Sequence, residues 1–275
     1  MNAQSKRNSL VENSADILHF PAPQKTVDWK RMSGLAAGLG VQAFFLITVV
    51  SLYEFLRYGS DHPSPDWLWV DVLLACQFAV PHSLLLLPWT RRKLQPWIHS
   101  EFYGLFYCFF TCLSLQVLFC FWQSSGLSVW ELKGSAQTVV LTGFYLSWAM
   151  LFYSLHLGGL GYQTGWTQWL HWWNRRKLPR REFAARSLYR WFRHPVYLSF
   201  LGLIWFTPVM TVEHAVLTGL WTVYIFLGSW LKDERLQFYL GDSYREYRTA
   251  VPGYPFMNHL PIVKRPAPDR MRSAA

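Results

Sequence analysis

Six stretches of this chain are apolar enough to be read as membrane helices, and no other feature restricts its fold so strongly. They lie at about 32–56, 67–88, 102–122, 138–157, 196–210 and 214–231, the last two being short. An α-helix needs about 20 consecutive, mostly apolar residues to cross the hydrocarbon of a bilayer. Backbone inside lipid must satisfy its own polar groups, so these runs are expected as helices. With 52% hydrophobic and only 15% charged residues, the chain reads as an all-α integral membrane protein with about six transmembrane helices and a C-terminal cytoplasmic helix.

Lysines and arginines set an orientation. Five precede the first run, three lie between the second and third (Arg91, Arg92, Lys93), eight lie between the fourth and fifth, and eight follow the sixth. The opposite side carries only Arg57 and Lys133. The positive-inside rule therefore predicts that both termini are cytoplasmic, a pattern that suits a bacterial inner membrane. The net charge of +10 is shared among several loops, which fits attraction to anionic membrane lipids. It does not form the concentrated phosphate-neutralising array that nucleic acid requires, so no nucleic-acid partner is expected. Cys76, Cys108, Cys112 and Cys120 all fall within apolar runs without a CxxC pair, so no metal site is expected.

The chain divides into five parts. Residues 1–31 are polar, expected as a flexible cytoplasmic tail ending in Lys30-Arg31, with the first run acting as the insertion signal. Residues 32–157 hold four transmembrane helices. Residues 158–193 form a Trp- and Arg-rich connection in which "GGLG" breaks the preceding helix and "WTQWLHWWNRRK" follows. That segment is expected to lie in the interface plane, with a cap over a substrate pocket as the alternative. Residues 194–256 form a helical hairpin and a cytoplasmic tail. From Pro195 to Thr211 there are 17 residues, about 25 Å of helix. In the tail, Leu231, Leu236, Leu240, Tyr244 and Tyr247 recur at roughly helical spacing until Val251-Pro252. Residues 257–275 are expected as a flexible C-terminus.

Ionisable groups gather at one depth. Gln77, His82 and Ser83 lie in the inner half of the second run, His156 at the inner end of the fourth, His194 at the start of the fifth, and Asp233-Glu234-Arg235 past the end of the sixth. Intramembrane ionisable residues mark pathways or sites. Pro195 fits the first position of a helix, which puts Arg193 and His194 beside free N–H groups and the positive dipole end, a setting for an anion. Tyr197, three residues after His194, shares its face. Tyr244, Tyr247 and Arg248, at i, i+3 and i+4, present an aromatic and cationic face able to close over the site. Neither a Rossmann GxGxxG nor a P-loop occurs.

"RHPVY", a hydrophobic hairpin, an acidic pair and then "LGDSYREYRTAVP" together resemble the isoprenylcysteine carboxyl methyltransferase superfamily of membrane S-adenosylmethionine (SAM) enzymes. "FAVPHSLLL" and "RHPVYLSFLGLIWFTPVMTVEH" are most similar to its branch of methanethiol S-methyltransferases, nurim and NnrU proteins. The likeness covers 67–256 loosely and 189–252 well.

The resemblance implies a cytoplasm-facing SAM site built from Arg193, His194, Pro195, Tyr197, Tyr244, Tyr247 and Arg248, completed by Asp233 or Glu234. It also implies methyl transfer to a small or lipophilic acceptor. A thiol acceptor needs its proton removed, because the thiolate is the nucleophile, and His156 or His82 is expected to assist. Four departures stand out. Ser199 replaces a glycine, Lys232-Asp233 aligns with a glutamate pair, Ala250 replaces an arginine, and Leu155 precedes His156 in place of Asn. Methanethiol conversion to dimethyl sulfide is the reading these features favour. Methylation of a lipid or isoprenylcysteine-type carboxylate, and a non-catalytic nurim-like membrane protein, are the rivals.

Overall fold

The structure is a computed structural model and describes residues 29–179 and 185–255. The expected tail at 257–275 and nearly all of that at 1–31 lie outside the described residues, as does part of the Trp- and Arg-rich connection. Among the described residues, five helices are long and apolar enough to cross a membrane, making this an all-α, multi-pass membrane protein. They are α1 (Trp29–Tyr58), α2 (Trp67–Leu86), α4 (Tyr103–Phe121), α5 (Gly134–Gly158) and α9 (Val212–Leu240). Short helices α3 (Pro88–Leu94), α6 (Leu160–Gln163) and α7 (Trp166–Trp173) lie in the connections.

The expected fifth span is α8 (Pro195–Trp205), only 11 residues or about 16 Å long, short of a bilayer's roughly 30 Å hydrocarbon. It stops where Phe206, Thr207 and Pro208 leave the helix, and the chain then forms β2 (Val209–Thr211). This strand pairs antiparallel with β1 (Ser128–Glu131), an element absent from the reading of the apolar runs. Thr211 caps α9 by accepting from the His214 amide at 3.3 Å, the hydroxyl-to-backbone bond that favours Thr at a helix start. The His214 ring and Thr218 hydroxyl both reach the Ile204 carbonyl, at 3.2 and 3.1 Å. The Met-Thr-x-x-His segment is thus a hairpin lock. Nearby, Glu213 accepts from the Ser124 and Ser125 hydroxyls at 3.2 and 2.6 Å.

The core joins α1, α2, α4, α5, α8 and α9 through buried Leu56, Phe78, Leu118, Phe144, Leu203 and Leu217. Leu203 and Ile204 are wholly buried although α8 is short. Gly202 of α8 sits against Ser147 of α5, and Gly143 of α5 against the Phe206 ring, the small-residue contact that lets membrane helices approach without water to drive them together. Gly165, with φ of +78°, packs its backbone onto Gly104 of α4, which brings the Trp-rich α7 against the bundle. Trp169 of α7 is buried, its indole against Gly38.

The tail differs from the expected single helix after residue 231. Nothing breaks the helix before Gly241, so α9 continues to Leu240. Gly241, at φ +62° and ψ −135°, takes a conformation open chiefly to glycine, and α10 (Asp242–Ala250) turns back along α9.

Candidate active site

Two polar assemblies form where α2 ends, α8 begins and α9 runs into the tail. The first is a buried knot. Pro195 is the first residue of α8 and His194 its N-cap, so Arg193 and His194 are fixed at the helix entrance as expected. They do not face open space there. Arg193 Nη2 lies 3.0 Å from Asp233 Oδ2, and its Nη1 donates to the carbonyls of Arg248 at 2.6 Å and Val251 at 2.8 Å. The Arg193 amide donates to Pro252 O at 2.8 Å. Gly253 packs against both side chains, and the Tyr254 ring centroid lies 5.5 Å from that of His194. The returning tail therefore covers the place read as an anion cradle.

Asp233 is the centre of this knot, with its side chain 4% exposed. Besides Arg193 it meets His194 Nε2 at 3.2 Å and accepts from the Tyr244 hydroxyl. Burial lowers the His194 pKa below its ordinary value, with Asp233 pulling it back up in part. His194 is accordingly neutral, with Nε2–H donating to the carboxylate; its buried Nδ1 has no hydrogen-bond partner among the described residues. Burial, and then Asp233, raises the Tyr244 pKa, so this phenol keeps the proton it donates. Tyr247, also raised by burial, donates to the Tyr189 carbonyl. Burial pushes Tyr254 up to about 12.

The second assembly is a cavity of about 260 Å³ between α2, α8 and α9, near the small end of ligand sites at roughly 300–1,000 Å³. Lys232, Glu234 and Arg235 line one end, and His82, Ser83 and Tyr224 the other. Tyr197 forms a wall between them, with Lys232 Nζ 5.3 Å from its ring centroid. His82 is held by the Tyr107 hydroxyl, 2.9 Å from Nε2, and by Thr111 Oγ1, 3.3 Å from Nδ1. Tyr224 reaches across to α2, its hydroxyl 2.9 Å from Ser83 Oγ and 3.3 Å from Ala79 O.

The predicted residues thus separate. Arg193, His194, Asp233 and Tyr244 make the knot, with Pro195 setting its geometry and Tyr247 beside it. Tyr197, Glu234 and His82 line the cavity. Arg248 joins the two, 2.8 Å from Glu234 Oε1 and 4.0 Å from Asp233 Oδ2. His156 is brought to neither: it is exposed on the last turns of α5. Tyr107 and Tyr224 were not singled out from the sequence. Tyr224 had a signal, since Gly228, Leu231 and Arg235 follow it at i+4, i+7 and i+11 on one helix face; Tyr107 had none.

Fold and site define a multi-pass, all-α membrane protein with a charged-to-apolar chamber at one end of its bundle. Among curated proteins the chain is 32% identical to a methanethiol S-methyltransferase of Pseudomonas deceptionensis, over 69% of this chain and 74% of that protein. It is 30% identical to one of Mycobacterium tuberculosis, over 66% and 75%, and 26% identical to nurim of Mus musculus, over 71% and 87%. No protein-family model and no solved structure matches it. The chain belongs to the methanethiol S-methyltransferase family and is a membrane methyltransferase, in agreement with the branch its motifs resemble.

Proposed function

We propose that the protein uses SAM to methylate methanethiol, giving dimethyl sulfide. The observation that carries this reading is the division of the cavity, with three charged side chains at one end and a histidine among apolar and hydroxyl groups at the other. The charged end fits the cofactor. Lys232 and Arg235 suit a carboxylate, Glu234 suits an ammonium or ribose hydroxyls, and the Tyr197 face suits a cationic group. When bound, SAM supplies a methyl group on a positively charged sulfur.

The chain's own residues supply alignment and proton handling. His82 would take the thiol proton at the ring nitrogen that gives up its contact with Tyr107 or Thr111, the remaining contact keeping the ring oriented. The thiolate so formed would be the nucleophile for the methyl group that SAM would supply. Leu86, Leu231 and the buried Ile225 give the cavity an apolar wall, which favours a small, lipophilic acceptor. Arg193, His194 and Asp233 hold the tail against α9 and so fix Tyr197 and Glu234 in place. With 24 of 26 Lys and Arg on one side of the predicted topology, the charged end faces the cytoplasm, in a bacterial inner membrane.

Headspace gas chromatography of detergent-purified protein given methanethiol and SAM tests this reading. Dimethyl sulfide should appear with SAM and not without it. Radiolabelled SAM retained without product would move the acceptor to a lipid; no retention would leave a non-catalytic membrane protein.

A further inference from the structure

The closed end of the cavity sets a limit on what can be methylated. Along α9, Tyr224 lies eight residues before Lys232, about 12 Å deeper. Its hydroxyl bonds to α2 at two points, Ser83 Oγ and Ala79 O, so the ring bridges the helices that form the cavity's two sides. Behind it the space is filled. Phe78 and Trp221 are buried, with ring centroids 5.9 Å apart, and Phe78 lies 6.2 Å from Tyr224 and 5.2 Å from His82. The alkyl group of a thiol whose sulfur is within reach of His82, when directed away from the charged end, meets this floor.

We propose that Tyr224, pinned across the cavity by its hydroxyl, determines acceptor size and restricts the enzyme to thiols of one or two carbons. The inference rests on the thiol-methylating reading above and adds the residue that selects within that class. A long-chain or lipid-linked thiol would need the space that the phenol ring occupies. A closed pocket discriminates by roughly 10- to 200-fold for each methylene it rejects. The charged end, about two turns away, is untouched by a change at the floor.

The test compares methanethiol, ethanethiol and butanethiol as acceptors for the wild type and for Tyr224→Ala and Tyr224→Phe, at fixed SAM, with products read by gas chromatography. The quantity is the ratio of kcat/KM for butanethiol to that for methanethiol within one preparation, which does not depend on how much protein is folded. The wild type should favour methanethiol by at least about tenfold per added methylene. Tyr224→Ala should raise the butanethiol ratio by tenfold or more. Tyr224→Phe, which keeps the ring and loses both hydrogen bonds, should raise it less. If the alanine variant does not accumulate, Tyr224→Leu replaces it with the same expectation. A wild type that takes butanethiol as readily as methanethiol overturns the proposal, as does a ratio unchanged in the shortened variants. Absence of methylation of every thiol by the wild type is a different result and removes the thiol reading itself.

Discussion

The knot and the cavity are neighbours that share α8 and α9, yet their polar groups are treated in opposite ways. In the knot, Asp233 and His194 are almost wholly buried, and the carboxylate has three donors. In the cavity, Glu234 is about half exposed and Lys232 lies over a ring face rather than against a carboxylate. Alternation along the chain produces the division: Arg193 and His194 go to one assembly and Tyr197 to the other, just as Asp233 separates from Lys232 and Glu234. A satisfied buried network holds a shape, whereas partly free charges facing a chamber can bind a ligand. The motif "RHPVY" therefore contains both a clamp and a wall of the site.

Substitutions that touch only one assembly test the division. Asp233→Ala should have the largest effect, because it leaves Arg193 and His194 buried without their acceptor, and breaking one side of a buried pair costs about 3–5 kcal/mol. The thermal midpoint of the solubilised protein should fall steeply and activity should go with it. An Asp233→Ala protein that melts like the wild type and has lost only SAM binding would place Asp233 in the ligand site. His82→Ala should come next, lowering methyl transfer roughly 100-fold or more, as loss of a general base does, with a smaller fall in melting than Asp233→Ala, since the Tyr107 and Thr111 hydroxyls lose their partner at a cost of about 1–3 kcal/mol. His156→Ala should stay within twofold; normal rates and pH profiles in both would remove histidine from the proton step. Glu234→Ala should weaken SAM binding by about tenfold, or about 1.4 kcal/mol. Its melting should barely change, since an exposed pair like that with Arg248 contributes about 0–1 kcal/mol.

The membrane helices were legible because length and apolarity suffice to define them. So was the role of Pro195 in starting α8. The split between knot and cavity was not, because it depends on which face of α9 meets α8, and spacing within one helix carries no such information. His194 and Tyr197 share a face at i, i+3, but Asp233 from α9 and the tail carbonyls of Arg248 and Val251 enclose the first two motif residues. His156 illustrates the same limit, since its depth could be inferred and its direction around α5 could not. The charges at 232–235 resembled the end of a span, but charge does not stop a helix; Gly241 does. Strands of four and three residues are too short to show a pattern before their partner is known.

The smallest predicted effect probes the charge state inside the knot. Burial holds the His194 pKa below its ordinary value of about 6.5, so as pH falls the unfolded chain takes up this proton before the folded one does. The stability contributed by neutral His194 is complete above about pH 6.5 and is lost as the pH falls from there through the lower folded value. Glutamine offers an N–H donor to Asp233 and does not titrate. Melting curves of the wild type and His194→Gln, recorded from pH 8 down to 5.5, should therefore converge on the acid side, the wild type losing more than the variant. Parallel curves would mean that folding does not alter the His194 proton. A gap that widens toward acid would mean that the imidazole is held charged against Asp233, making the knot an ion triad rather than one carboxylate served by an arginine and two neutral donors.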